Sequence, residues 1–130
     1  GKHYQETREL FPHIDIAILG IGAYQPEWFM ESNHSSPAKA YQSFLDLGAT
    51  YMVPMHYGTF DLSDEPIGEP GERLLSIATE NKMTQRVLLP ALGQNIVGMM
   101  QLFVHHFEAM HYSLFQILNI PMYVMMSYKH

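Results

Sequence analysis

The sequence contains no cysteine. This excludes a disulfide frame, a thiolate metal site and a cysteine nucleophile. It also accords with a reducing compartment, so a cytoplasmic location is the expectation. Basic residues are few: 7 Lys and Arg stand against 13 Asp and Glu, a formal net charge of −6. The basic residues are scattered, whereas phosphate-backbone recognition relies on clustered Lys and Arg, so no nucleic-acid partner is expected. No Ser-His-Asp order, glycine-rich phosphate loop or His-Glu-x-x-His helix pair is present. The opening "GKHYQETREL" is polar and lacks the apolar middle of a secretory signal. No internal repeat or low-complexity tract is found. A transmembrane segment is not expected either, because the apolar stretch 96–118 is interrupted by His105, His106, Glu108 and His111.

What the chain does have is 130 residues, 47% of them hydrophobic and 12% aromatic, enough to fill the core of one domain. Lys2 to Phe11 reads as a short helix stopped by Pro12. "IDIAILGIG" is a short apolar run closed by glycines, the pattern of a buried strand. "AYQPEWFMESNH" lacks a period and reads as an ordered loop. "SSPAKAYQSFLDLG" carries full helix punctuation. Ser36 is the N-cap, Pro37 the first helical residue, Ala40, Tyr41, Phe44, Leu45 and Leu47 the apolar stripe, and Gly48 the stop.

"ATYMVPMH" is a second buried strand, whose Pro54 points to an edge, a bulge or a strand near its end. After a Gly-, Pro- and acid-rich loop, "EPGERLLSIATEN" is an amphipathic helix and "RVLLPAL" a third strand. Alternating helices and strands mark an α/β layered fold. Beyond this, Ile96, Met100, Phe103, Phe107, Met110, Leu114 and Ile117 recur at spacings of four and three. Such a stripe belongs to a long helix packing on the domain or on another copy of the chain. His105, His106 and His111 lack the spacing of three or four that a chelating pair on one helix face needs, and they read as surface residues.

His56 occupies the position with the most chemical promise. It stands where a buried strand emerges into a loop, and ligands of open α/β sheets gather at the carboxyl ends of strands. Gly58 permits a sharp turn just after it. Neutral imidazole is a common metal ligand whose other nitrogen needs an acceptor, and Asp61, Asp64 and Glu65 lie near enough in sequence to serve. A core histidine satisfied by backbone remains the competing reading. His34, just before the N-cap, is either a residue of the same mouth or a solvated loop histidine. Tyr24, Trp28 and Phe29 either wall an apolar pocket or simply pack their loop.

Four stretches in this order, "DIAILGIGAYQPEWFM", "HSSPAKA", "LGATYMVPMHYGTFDLSDEP" and "EPGERL", resemble the metallo-β-lactamase superfamily. The nearest branch holds bacterial metal-dependent hydrolases and N-acyl-phosphatidylethanolamine phospholipase D. The resemblance covers roughly residues 1–93. It implies an αββα sandwich, two sheets flanked by helices, of which residues 1–95 would form the C-terminal half, with residues 96–130 as an additional helical tail. It implies that His56 is a metal ligand, that His34 is a catalytic, substrate-side residue, and that Tyr24 and Trp28 contact substrate. The cofactor implied is zinc, two ions sharing a water whose pKa they lower.

The family's His-x-His-x-Asp-His and Gly-Asp-Thr/Ser-Gly motifs do not occur in these 130 residues. The expectation is therefore the C-terminal portion of a zinc-dependent hydrolase acting on a phosphodiester, lactone or related ester, small or lipid-like, with the chain alone inactive. The alternative is a non-catalytic interaction module that buries its sheet and its heptad-like tail against a partner chain, including a second copy of itself.

Overall fold

The computed structural model describes residues 2–91 and 93–95. Within them the element order is α1 (Lys2–Leu10), β1 (Ile16–Gly20), α2 (Glu27–Met30), α3 (Pro37–Leu47), β2 (Tyr51–Met55) and α4 (Glu69–Glu80). This is a mixed α/β arrangement. The long helix expected over residues 96–118, and with it the proposed pairing surface of the tail, lies outside the described residues.

β1 and β2 pair in parallel, in register from Ile16 opposite Tyr51 to Gly20 opposite Met55. The chain crosses between them through α2 and α3. Such a crossover is what a parallel pair requires, since a tight hairpin can only join antiparallel strands. Ala17 and Met52 point to one face, where they join Ala40, Tyr41, Phe44 and Leu47 of α3 and Leu74 and Ala78 of α4 in a single apolar cluster. Phe44, Ile21, Met52 and Leu74 are its largest fully buried side chains. Burying each such side chain contributes about 1.5–3 kcal/mol. Tyr4 of α1 packs against the same cluster. On the opposite face of the sheet Ile18 is 37% exposed and Met55 49%.

The expected third strand reduces to one parallel bridge between Val87 and Met52. The Met52 N–H donates to the Arg86 carbonyl at 2.8 Å and the Leu88 N–H to the Met52 carbonyl at 2.8 Å. The next rung of a parallel ladder, two residues on, calls for N–H groups at positions 54 and 90. Both are prolines, which have none. The pairing therefore ends where it starts. Arg86 fixes the segment from its other side, its guanidinium donating to the carbonyls of Thr50 at 2.8 Å and Ala49 at 2.6 Å.

The punctuation of α3 is as its sequence implies. The Ser36 hydroxyl accepts the Lys39 N–H at 3.4 Å, and Gly48 closes the helix in the left-handed region at φ 66°. The stretch read as an ordered loop contains the short helix α2. It opens after a cis Gln25–Pro26 peptide bond and is tied to α3 by Lys39, which reaches Glu31 at 2.6 Å and Glu27 at 3.5 Å.

Candidate functional site

At the carboxyl end of β2 the chain turns sharply, and the turn begins at His56 itself. His56 has φ 59°, in the left-handed region, and Gly58 follows at φ 77°. Few residues with a Cβ take this conformation, although histidine tolerates it better than most. The loop that leaves the end of β1 presses against the same point. A Cβ built on Gly22 would lie inside the contact shell of the His56 carbonyl oxygen, so only glycine fits there. Between the two loops is a cleft of about 340 Å³. Gly22, Ala23 and His56 line it, together with Tyr57, Thr59, Ser63 and Glu65 and the apolar Phe60, Leu62 and Ile67. Tyr57 is half-buried, and burial raises its hydroxyl pKa above the ordinary value. Its ring packs on α4 at Gly71, where a Cβ would come within 3.0 Å.

His34 follows α2, its N–H donating to the Met30 carbonyl at 2.9 Å. Its ring lies beside that of His56, with centroids 5.2 Å apart and planes at 58°. The structure thus brings together the two histidines that the sequence singled out, although their numbers are far apart. His56 is solvent-exposed and His34 half-buried. Among the described residues no group of three or more His, Asp or Glu side chains is placed to hold a metal ion. Imidazoles are suitable metal donors in kind, but this pair does not complete a coordination set.

Tyr24 and Trp28 differ in their surroundings. Tyr24 is buried, and its hydroxyl donates to Glu69 Oε1 at 2.7 Å while accepting from Arg73 at 3.1 Å. Burial, with the Glu69 carboxylate next, pushes the Tyr24 pKa up. Its side chain therefore anchors the β1-end loop to α4, and neither Tyr24 nor Trp28 lines the cleft. Trp28 is 84% exposed, with the exposed Phe29 ring 5.7 Å away.

Among the acids considered as second partners for His56, Glu65 is committed elsewhere. Its carboxylate accepts the backbone N–H of Tyr24 at 3.2 Å and of Gln25 at 2.9 Å, and the side chain is buried. Burial alone would raise its pKa. The Ser63 hydroxyl and the N–H groups of Gln25 and Tyr24 outweigh it, and the carboxyl is held below its ordinary value. Sequence reading missed this residue as a link between loops, because its partners are 40 and 41 positions away.

Comparison with known proteins gives this geometry a family context. Residues 1–57 match the model of a beta-lactamase superfamily domain. An uncharacterized protein of Mycobacterium tuberculosis is 40% identical over 92 residues, 68% of this chain and 24% of the relative. The mitochondrial N-acyl-phosphatidylethanolamine-hydrolyzing phospholipase D of Saccharomyces cerevisiae is 35% identical over 79 residues, 61% of this chain and 17% of the relative. The corresponding phospholipase D 1 of Caenorhabditis elegans is 32% identical over 72 residues, 55% of this chain and 20% of the relative. The chain is thus related, over part of its length, to the metallo-β-lactamase superfamily. It spans about a quarter or less of the length of these curated relatives.

Proposed function

We propose that the cleft at the carboxyl end of β2 is one wall of a zinc-dependent hydrolase site of the metallo-β-lactamase sandwich, with His56 as a metal ligand and His34 facing the substrate. The observation that carries this reading is the conformation of His56. A side-chain-bearing residue sits in the left-handed region at a strand end, where glycine would be less strained, and its ring meets that of His34 at 5.2 Å. Backbone strain of this kind clusters at functional sites. The donor set within the described residues is incomplete, so the remaining ligands would come from outside them, in keeping with a chain that matches only part of its relatives. In this reading the chain alone is inactive, because the family's His-x-His-x-Asp-His and Gly-Asp-Thr/Ser-Gly motifs do not occur in its 130 residues.

Imidazole supplies neutral donation to a divalent ion. His34, beside the metal ligand and half-buried, is placed to hold or polarise a substrate oxygen. Trp28 offers an exposed ring for an apolar substrate portion, and Tyr24 shapes the wall through the loop it anchors. The substrate class is a phosphodiester, lactone or related ester, and the relatives named as phospholipases favour a lipid-like phosphodiester. Among the described residues no helix is long and apolar enough to cross a membrane. The test is metal analysis of the protein extended through its upstream sequence. Zinc content should fall in His56→Ala, and unchanged content removes the assignment.

The outer face of the sheet supports a second reading, an interaction module. Ile18 and Met55 are exposed there on the two paired strands, two positions apart in register. Sedimentation of the 130-residue chain separates the readings: a dimer favours the module, and a monomer leaves that face for another part of the polypeptide.

A further inference from the structure

We propose that Glu65 is the positioning residue that sets the separation of His34 and His56. This rests on the reading of the two rings as one site. Glu65 belongs to the loop that His56 opens, and it reaches across to the loop that leads from β1 into α2, on whose far side His34 lies. Its two acceptor bonds, to the N–H groups of Tyr24 and Gln25, fall immediately before Pro26 and α2. His34 hangs from the last residue of that helix through its N–H bond to Met30. One path from one imidazole to the other through covalent chain and hydrogen bonds runs His56, the 57–64 loop, Glu65, Gln25, α2 and His34; a second enters the 21–26 loop through the Ile21 N–H bond to the Met55 carbonyl at 3.1 Å, and Glu65 braces that same loop at Tyr24 and Gln25. Asp64 adds a weaker backbone bond to Gln25 at 3.4 Å.

The chemistry of the residue suits the task. A carboxylate has acceptor sites on both oxygens and no donor, so it satisfies two converging N–H groups at once. A buried amide side chain would turn its NH₂ toward one of those N–H groups and leave a donor facing a donor. Charge-assisted bonds of this kind are roughly twice as strong as neutral ones, which offsets the cost of placing an acid in a cleft wall. A carboxylate so used does not touch the substrate and is not a catalytic residue.

The test is an NMR comparison on the 130-residue chain. At a ring separation of 5.2 Å, the ring protons of His34 and His56 should give a cross-relaxation peak in the wild type. Glu65→Gln should abolish that peak and shift the amides of Tyr24 and Gln25, while circular dichroism shows the helices retained. Glu72→Gln, which removes the same charge from an exposed position of α4, should change neither. If Glu65→Gln does not fold, Glu65→Asp serves in its place, because it keeps the charge but shortens the reach by one methylene and should weaken the peak. Persistence of the peak and of both amide shifts in the folded variant overturns the proposal. Zinc content of the upstream-extended protein is a separate readout. Loss of the metal assignment for His56 would leave the peak unchanged, so failure of the functional reading and failure of the Glu65 role are distinguishable.

Discussion

Gly22 and His56 are in backbone contact: the Cα of Gly22 faces the His56 carbonyl so closely that no side chain fits between them. This contact joins the ends of β1 and β2 at the point where the imidazole leaves the sheet. Gly22→Ala should therefore be costly, because the obstructing atom is backbone and cannot swing aside. Overpacking of this kind costs about 1–3 kcal/mol, and the upper end is expected here. Gly20→Ala is the internal control. Its nearest neighbour would be the His56 Cβ at 3.8 Å, an ordinary contact. Urea unfolding of both variants should show a large loss for the first and little change, or a small gain, for the second.

His56→Gly should separate stability from metal binding. At φ 59° a residue with a Cβ is strained by roughly 1–2 kcal/mol, and glycine relieves this while adding about 1 kcal/mol of unfolded-state entropy. The expected unfolding free energy is unchanged or slightly higher, measured by denaturant melts. Zinc retention by the extended protein should nevertheless fall. A clear destabilisation would mean that the ring is held for packing.

Glu65 gives the acid stability a definite sign. Its folded pKa lies below the ordinary carboxylate value of 4.5. A depressed carboxylate contributes stability that is present above the unfolded pKa and is lost as the pH falls through the folded pKa. Thermal melts of the wild type should thus weaken on acidification below about pH 4.5, through the linkage between proton uptake and unfolding. Glu65→Gln should show a lower melting temperature at neutral pH and a shallower acid decline.

Tyr24→Phe removes a hydroxyl that accepts from Arg73 and donates to Glu69. A loss of about 1–2 kcal/mol is expected, since a charged acceptor strengthens the bond and both partners can regain water. The ring also lies 5.5 Å from the Arg73 guanidinium, a contact that the substitution leaves in place.

Phe44→Ala should cost about 3–5 kcal/mol, the range for emptying a packed aromatic site. Phe44 is fully buried at the centre of the cluster. A domain of this size has only a few such anchors, so the variant should melt with greatly reduced cooperativity.

How much was legible in advance depended on the range of the interaction. The bounds of α3 followed from Ser36, Pro37 and Gly48, because capping and left-handed termination act within a few residues. β1 and β2 were visible as short apolar runs, and of the edge, bulge or strand end that Pro54 left open, the structure shows it one residue before the end of β2. The third strand was overread. Its apolar composition indicated burial, and Val87 and Leu88 are indeed buried, but composition does not count N–H donors across a ladder. His34 and His56 were each chosen from local context, and only the tertiary arrangement showed their rings to be neighbours.

The sequence by itself determined where α3 starts and stops, that α3 and α4 are amphipathic, and that a histidine follows the second strand. These are properties of adjacent residues, governed by φ preference, hydrogen-bond donors and side-chain period. Tertiary structure alone decided that Glu65 is bound to Tyr24 and Gln25, that Gly22 meets His56, and that the His34 and His56 rings are neighbours. Each of those depends on the parallel crossover, which closes more than twenty residues of chain between β1 and β2 and carries no local mark of where its ends will meet.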